Sequence, residues 1–137
     1  MEYNFKCELE IFLSDSPRFR ILNKNGKYDY FDFTKPFNFN PANYDKDAQI
    51  EYGSGFYDLN HKEMFQNDIV KYQDEEDAEF TEYHRVQYDN ESDFCICGQV
   101  LQHDRTNCEI VSNTHKGEFK PIFDSGFEVE WVKVEND

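Results

Sequence analysis

Six carboxylates fall within nine residues at Asp74, Glu75, Glu76, Asp77, Glu79 and Glu82. Asp89, Glu91 and Asp93 follow soon after. The chemistry open to such a run is electrostatic, because dense charges of one sign repel each other and attract cations. Three surroundings fit. The first is water, with the run as a solvated loop between strands. The second is a basic protein, whose Lys and Arg would meet carboxylates where they otherwise meet phosphates. The third is calcium, which fits least well, because the EF-hand spacing and its turn glycine are missing.

Cys95, Cys97, His103, Cys108 and His115 are the other set with ligand chemistry. Structural zinc sites usually open with two cysteines that have two to four residues between them, which wrap the metal in a tight knuckle. Cys95 and Cys97 are closer in sequence than that. In a strand they would lie on one face about 6.7 Å apart, so buried thiols are the better expectation and no metal is assigned. Gly53-Ser54-Gly55 lacks the G-x-S-x-G frame of a nucleophile elbow. There is no H-E-x-x-H, phosphate-binding loop or dinucleotide fingerprint. The sequence therefore predicts no enzyme, no catalytic residue and no cofactor.

The whole chain shares the character of its acidic run. Its 137 residues carry 29 Asp and Glu against 14 Lys and Arg, for a net charge of −15. Residues 1–70 hold twelve acids and eight bases, and residues 71–137 hold seventeen and six. Such a charge repels nucleic acid and anionic membranes and attracts basic surfaces. The bases are scattered, apart from Arg18, Arg20, Lys24 and Lys27, which read as the solvated face of a hairpin. No basic groove accompanies the aromatics, which disfavours direct nucleic-acid binding.

High charge with 38% hydrophobic residues would suit a disordered chain. Fourteen Phe, nine Tyr and one Trp argue against that, since each ring buries a large area. Three Ala and five Leu face seven Val and seven Ile, and twelve Asn supply turns. The composition is that of a β protein.

The order along the chain agrees. Tyr3, Phe5, Cys7, Leu9, Ile11 and Leu13 alternate with polar residues, as in a half-buried strand. Asn25-Gly26 between apolar runs predicts a hairpin with both turn positions at positive φ. Residues 32–50, with Phe33, Phe37, Phe39 and Tyr44 among prolines, read as an aromatic loop with one helical turn near Asp45 to Ile50. Its rings either cap the core or form an exposed patch. Met64 to Tyr72 reads as a turn feeding a strand. Further strands are expected at Tyr83–Tyr88, Asp93–Leu101 and Cys108–Ser112. In the last strand, Phe127, Val129 and Trp131 should share a face opposite Glu128 and Glu130.

Gly55-Phe56-Tyr57-Asp58-Leu59-Asn60-His61-Lys62-Glu63-Met64-Phe65-Gln66-Asn67-Asp68-Ile69-Val70 resembles the signature of the YopX family of phage proteins. Arg85-Val86-Gln87-Tyr88-Asp89 is similar to the family's next segment, and Glu128-Val129 to Glu135-Asn136 is similar to its closing one. The likeness covers residues 53–89 and 126–136. His61 and Asn67 stand where the family has glycine. The resemblance implies a small, β-rich phage or prophage protein without assigned activity. It gives Asp58, Lys62, Glu63 and Asp68 structural roles in a turn.

The expected fold is mainly β: a small single domain, either a bent sheet or an SH3-like barrel with an N-terminal hairpin extension and minor helix. Residues 1–50 would form the N-terminal β layer and aromatic loop, and residues 51–137 the YopX-like β region. The expected function is that of a non-enzymatic, phage-type inhibitor in the bacterial cytoplasm. It would bind a basic, nucleic-acid-handling host protein, as anti-CRISPR or anti-restriction inhibitors do, through carboxylates on phosphate sites. The partner-binding set is Asp74, Glu75, Glu76, Asp77, Glu79, Glu82, Asp89, Glu91 and Asp93. One alternative is a phage accessory or structural module whose acidity serves solubility. Another is a sponge for a small nucleotide, with Arg18, Arg20 or Arg85 lining a pocket.

Overall fold

The computed structural model describes residues 16–73, 81–88, 94–96, 99–100 and 108–135. The chain is mainly β, as the composition predicts. The described strands are β1 (Arg18–Leu22), β2 (Tyr28–Asp32), β3 (Ile50–Tyr57), β4 (Glu63–Phe65), β5 (Asp68–Gln73), β6 (Thr81–Arg85), β7 (Gln87–Tyr88), β8 (Phe94–Ile96), β9 (Gln99–Val100), β10 (Cys108–Asn113), β11 (Phe119–Asp124) and β12 (Phe127–Lys133). They form three antiparallel sheets, ordered β2-β1-β3-β4, β10-β5-β6-β12-β11 and β7-β8-β9. The expected strand at residues 3–13 lies outside the described residues.

The β1–β2 hairpin forms, but by a different turn. Gly26 N–H donates to Asn23 O at 3.0 Å, and Asn23 N–H donates to Lys27 O at 2.8 Å. Only Gly26 takes a positive φ, of 79°. This is a type I turn closed by a glycine bulge, not a two-residue turn with Asn25 left-handed as well. The Asn23 side chain favours it by accepting from Asn25 N–H at 2.9 Å and from Lys27 N–H at 3.2 Å.

At 45–50 a single turn closes, with Ala48 N–H donating to Asp45 O at 3.1 Å, but no 3-10 or α-helix is built on it. The short 3-10 helix is Pro41–Asn43 instead. Asn40 caps it by accepting from Ala42 N–H, and Pro41 brings a preset φ. The aromatic loop around it folds back on β1. Phe19 is fully buried and stacks on Phe31 and Phe33 at 4.9 and 4.5 Å, with Phe37 edge-on at 5.8 Å. Phe39 stacks on Tyr44 at 5.0 Å. These rings make a second core. The main one joins Met64, Val70, Val86, Ile96 and Cys108, with Tyr52, Phe56, Tyr72, Tyr88 and Ile110 against it.

Gly53-Ser54-Gly55 is a bulge in β3. A Cβ on Gly53 would overlap the Glu63 carboxylate and lie 2.8 Å from Ser16 Oγ, so any larger residue would displace the Glu63 side chain that Arg18 and Gly55 hold. Gly55 takes φ 78° where the β3–β4 register shifts. Ser54 is buried, and its Oγ accepts from Phe56 N–H at 3.0 Å.

The C-terminal hairpin departs from expectation twice. β11 is a strand beyond those expected, and its Pro121 removes a ladder donor. The strand is nevertheless at a sheet edge, where that loss is tolerated. Ser125 (φ 54°) and Gly126 (φ 85°) form its turn. The simple alternation of β12 also fails. The register slips between Ile122 and Phe123, and a one-residue slip changes the face. Trp131 is buried, whereas Phe127 stands 75% exposed and Phe123 61% exposed.

Candidate functional site: the Arg20 cleft and the acidic segments

Arg20 sits mid-strand in β1, directly across from Glu51 in β3 and Tyr30 in β2. Antiparallel pairing therefore brings two residues 31 positions apart side by side. Arg20 Nε donates to Glu51 Oε1 at 2.8 Å, Nη1 to Asp68 Oδ1 at 2.9 Å, and Nη2 to Gln66 O at 2.9 Å. Its guanidinium lies 3.9 Å from the Tyr28 ring centroid and 5.2 Å from that of Phe65. Only 3% of Arg20 is exposed. Lys24 and Lys27 are exposed, as a solvated hairpin face requires, but the reading is corrected for Arg20 and Arg18. Arg20 is internal, and Arg18 is paired with Glu63 and donates to the Tyr57 hydroxyl at 2.8 Å.

The network continues across the sheets. Glu51 Oε2 accepts from Asn67 Nδ2 at 2.8 Å, and Asn67 Oδ1 accepts from Arg85 Nη1 at 3.2 Å. Arg85 also pairs with Glu128 at 3.1 Å. Asn67 can stand at this junction because it adopts φ 69° before β5. His61 takes φ 63° at the preceding turn. There Asp58 accepts from Asn60 N–H and Lys62 N–H, both at 2.9 Å, and from Ile110 N–H at 3.0 Å. Asp58, Glu63 and Asp68 thus fix backbone and arginines, which is a structural part.

Burial pushes the Asp68 carboxyl up to about 6, against the pull of Arg20 and the Phe65 N–H. Burial likewise opposes the Arg20 charge, but Asp68 and Glu51 outweigh it and keep Arg20 protonated. Unfolded, Asp68 would titrate near 3.8. The native state therefore holds the extra proton between these values. Its contribution to stability is complete below about pH 4 and is lost as pH rises through 6. The stability advantage of wild type over Asp68→Asn should fall by about 3 kcal/mol from pH 4 to pH 7. Urea titrations of both proteins across that range measure it, and a difference constant with pH would refute it.

A cavity of about 470 Å³ opens beside this cluster, between Arg20 and Tyr30 on the hairpin side and Ser112, Asn113 and Lys116 on the other. Of the three arginines named for a nucleotide pocket, Arg20 lines it, whereas Arg18 and Arg85 do not.

Of the nine expected partner-binding acids, Glu82 alone lies within the described residues. It sits in β6, and its Oε2 is 2.6 Å from Nε2 of the buried His84. Asp74, Glu75, Glu76, Asp77, Glu79, Asp89, Glu91 and Asp93 lie outside them. The segments holding these acids join described strands. One runs from β5 (ending at Gln73) to β6 (starting at Thr81), the other from β7 (ending at Tyr88) to β8 (starting at Phe94). Thr81 and Tyr88 are opposite ends of one nearly extended stretch, at most about 23 Å apart.

The charge divides unevenly. Residues 1–70 carry a net charge of −4 and residues 71–137 a net charge of −11. Within the second half, residues 74–80 and 89–93 together hold eight acids and no base.

Cys95 and Cys108 are buried thiols outside any disulfide. Cys97 and His103 lie outside the described residues, among which no three His, Cys, Asp or Glu side chains converge as a metal site would require. No helix among the described residues is long and apolar enough to cross a membrane. No family model matches the chain, and no curated protein matches it.

Proposed function

We propose that this is a non-enzymatic, phage-type acidic protein that binds and inhibits a basic host protein whose own ligand is nucleic acid. The division of charge carries this reading. Acidity serving solubility alone would be spread over the whole surface. Here eight acids with no base among them are concentrated in residues 74–80 and 89–93, within a second half that carries net −11 of the −15. A basic groove shaped for phosphates would accept those carboxylates in their place. The left-handed residues at 61 and 67, where the YopX pattern has glycine, support the phage-type assignment.

Immobilised protein should retain such a partner from bacterial lysate and release it to added duplex DNA, since both would compete for the same cationic groove. Reversing Asp74, Glu75, Glu76 and Asp77 to lysine should abolish capture. Capture that DNA does not displace, or that survives the reversal, would refute the reading.

A further inference from the structure

The cleft beside Arg20 differs in charge from the chain as a whole. Two carboxylates line it, Glu63 and Asp68, and both are satisfied. Glu63 is paired with Arg18 and accepts from Gly55 N–H at 3.0 Å. Asp68 is paired with Arg20 and accepts from Phe65 N–H at 2.8 Å. Lys62 and Lys116 also line it, both exposed, and neither is ion-paired with a described residue. Arg20 contributes as well. Its N–H groups are bound to Glu51, Asp68 and Gln66, and its charge sits at the cleft as a lining residue.

An aromatic surface completes the cleft. Tyr30 packs edge-on against Phe65 at 5.3 Å, yet 60% of it remains exposed. At the hairpin tip the two walls come together, since a methyl placed on Gly26 would lie 3.9 Å from His115 Nε2. The volume lies within the range of small-ligand sites.

We propose that this cleft binds a small phosphorylated ligand carrying a planar ring, of mononucleotide size. Its phosphate lies on Lys62 and Lys116 with the Arg20 charge behind them, and its ring lies against Tyr30. A long nucleic acid does not fit this role. Each further phosphate outside the cleft would meet the repulsion of a chain with net charge −15. A single small anion meets it once. None of the nine expected partner-binding acids lines the cleft, so its test can fail or hold independently of the proposed partner.

Calorimetric titration of the full chain with AMP, GMP, CMP and UMP tests this, with inorganic phosphate and the free nucleosides as controls. At least one mononucleotide should bind more tightly than both inorganic phosphate and its own nucleoside. Lys62→Glu combined with Lys116→Glu should weaken that binding by about 100-fold, roughly tenfold per reversed charge. Tyr30→Ala should weaken mononucleotide binding about tenfold and leave inorganic phosphate unchanged. All three side chains are exposed, so the variants should keep the fold, which Trp131 fluorescence reports. No mononucleotide binding at millimolar concentration would overturn the proposal. So would an unchanged affinity in the lysine variant, or phosphate binding as tightly as every mononucleotide.

Discussion

Replacing Arg20 with alanine should lower stability by about 3–5 kcal/mol, enough to leave a domain of this size marginally folded. The substitution removes the cation that neutralises Glu51 and Asp68. Asp68 is buried and cannot turn to water for a substitute. It also removes the guanidinium packed against Tyr28 and Phe65. Arg20→Met combined with Glu51→Gln and Asp68→Asn should recover most of the loss, because no uncompensated charge is then buried. Urea unfolding followed by the single tryptophan measures both. A single variant within 1 kcal/mol of wild type would show that solvent reaches the cluster freely.

Phe19→Ala should cost about 3–5 kcal/mol, a large loss for one aromatic. Phe19 is the ring on which the loop closes, touching Phe31, Phe33 and Phe37. Its removal leaves a cavity that rings from a prolyl-rich loop cannot all move to fill. The outcome also decides between the two roles open to the aromatic loop. Rings that cap a core lose stability when their hub is deleted, whereas rings displayed for a partner do not. A loss below 1 kcal/mol in thermal or urea unfolding would favour display. Phe127→Ala is the contrasting control, since that ring is three-quarters exposed and should change stability little.

The sequence expressed the β class well, because propensity and patterning are local properties. Alternation and Asn-Gly located the first hairpin, although not its turn type, which the Asn23 side chain decides. β11 was not expected from the sequence, and its Pro121 is tolerated because the strand lies at a sheet edge, which neighbours decide. The alternation of Phe127, Val129 and Trp131 misled because the register slip is a property of the pair, not of either strand.

Arg20 shows where sequence reading stops. In the linear chain it lies among Arg18, Lys24 and Lys27, and a positive hairpin face is the natural inference. Its partners are 31 and 48 positions away. Nothing local announces them. Composition alone determined that the protein is acidic, rich in aromatics and built of strands, because charge and propensity are summed over residues wherever they lie. Tertiary structure decided which charges are internal, which rings are core and where a cleft opens. Burial and pairing depend on which distant segments share a ladder, and a Coulomb interaction only becomes large once folding has shortened the distance and excluded the water.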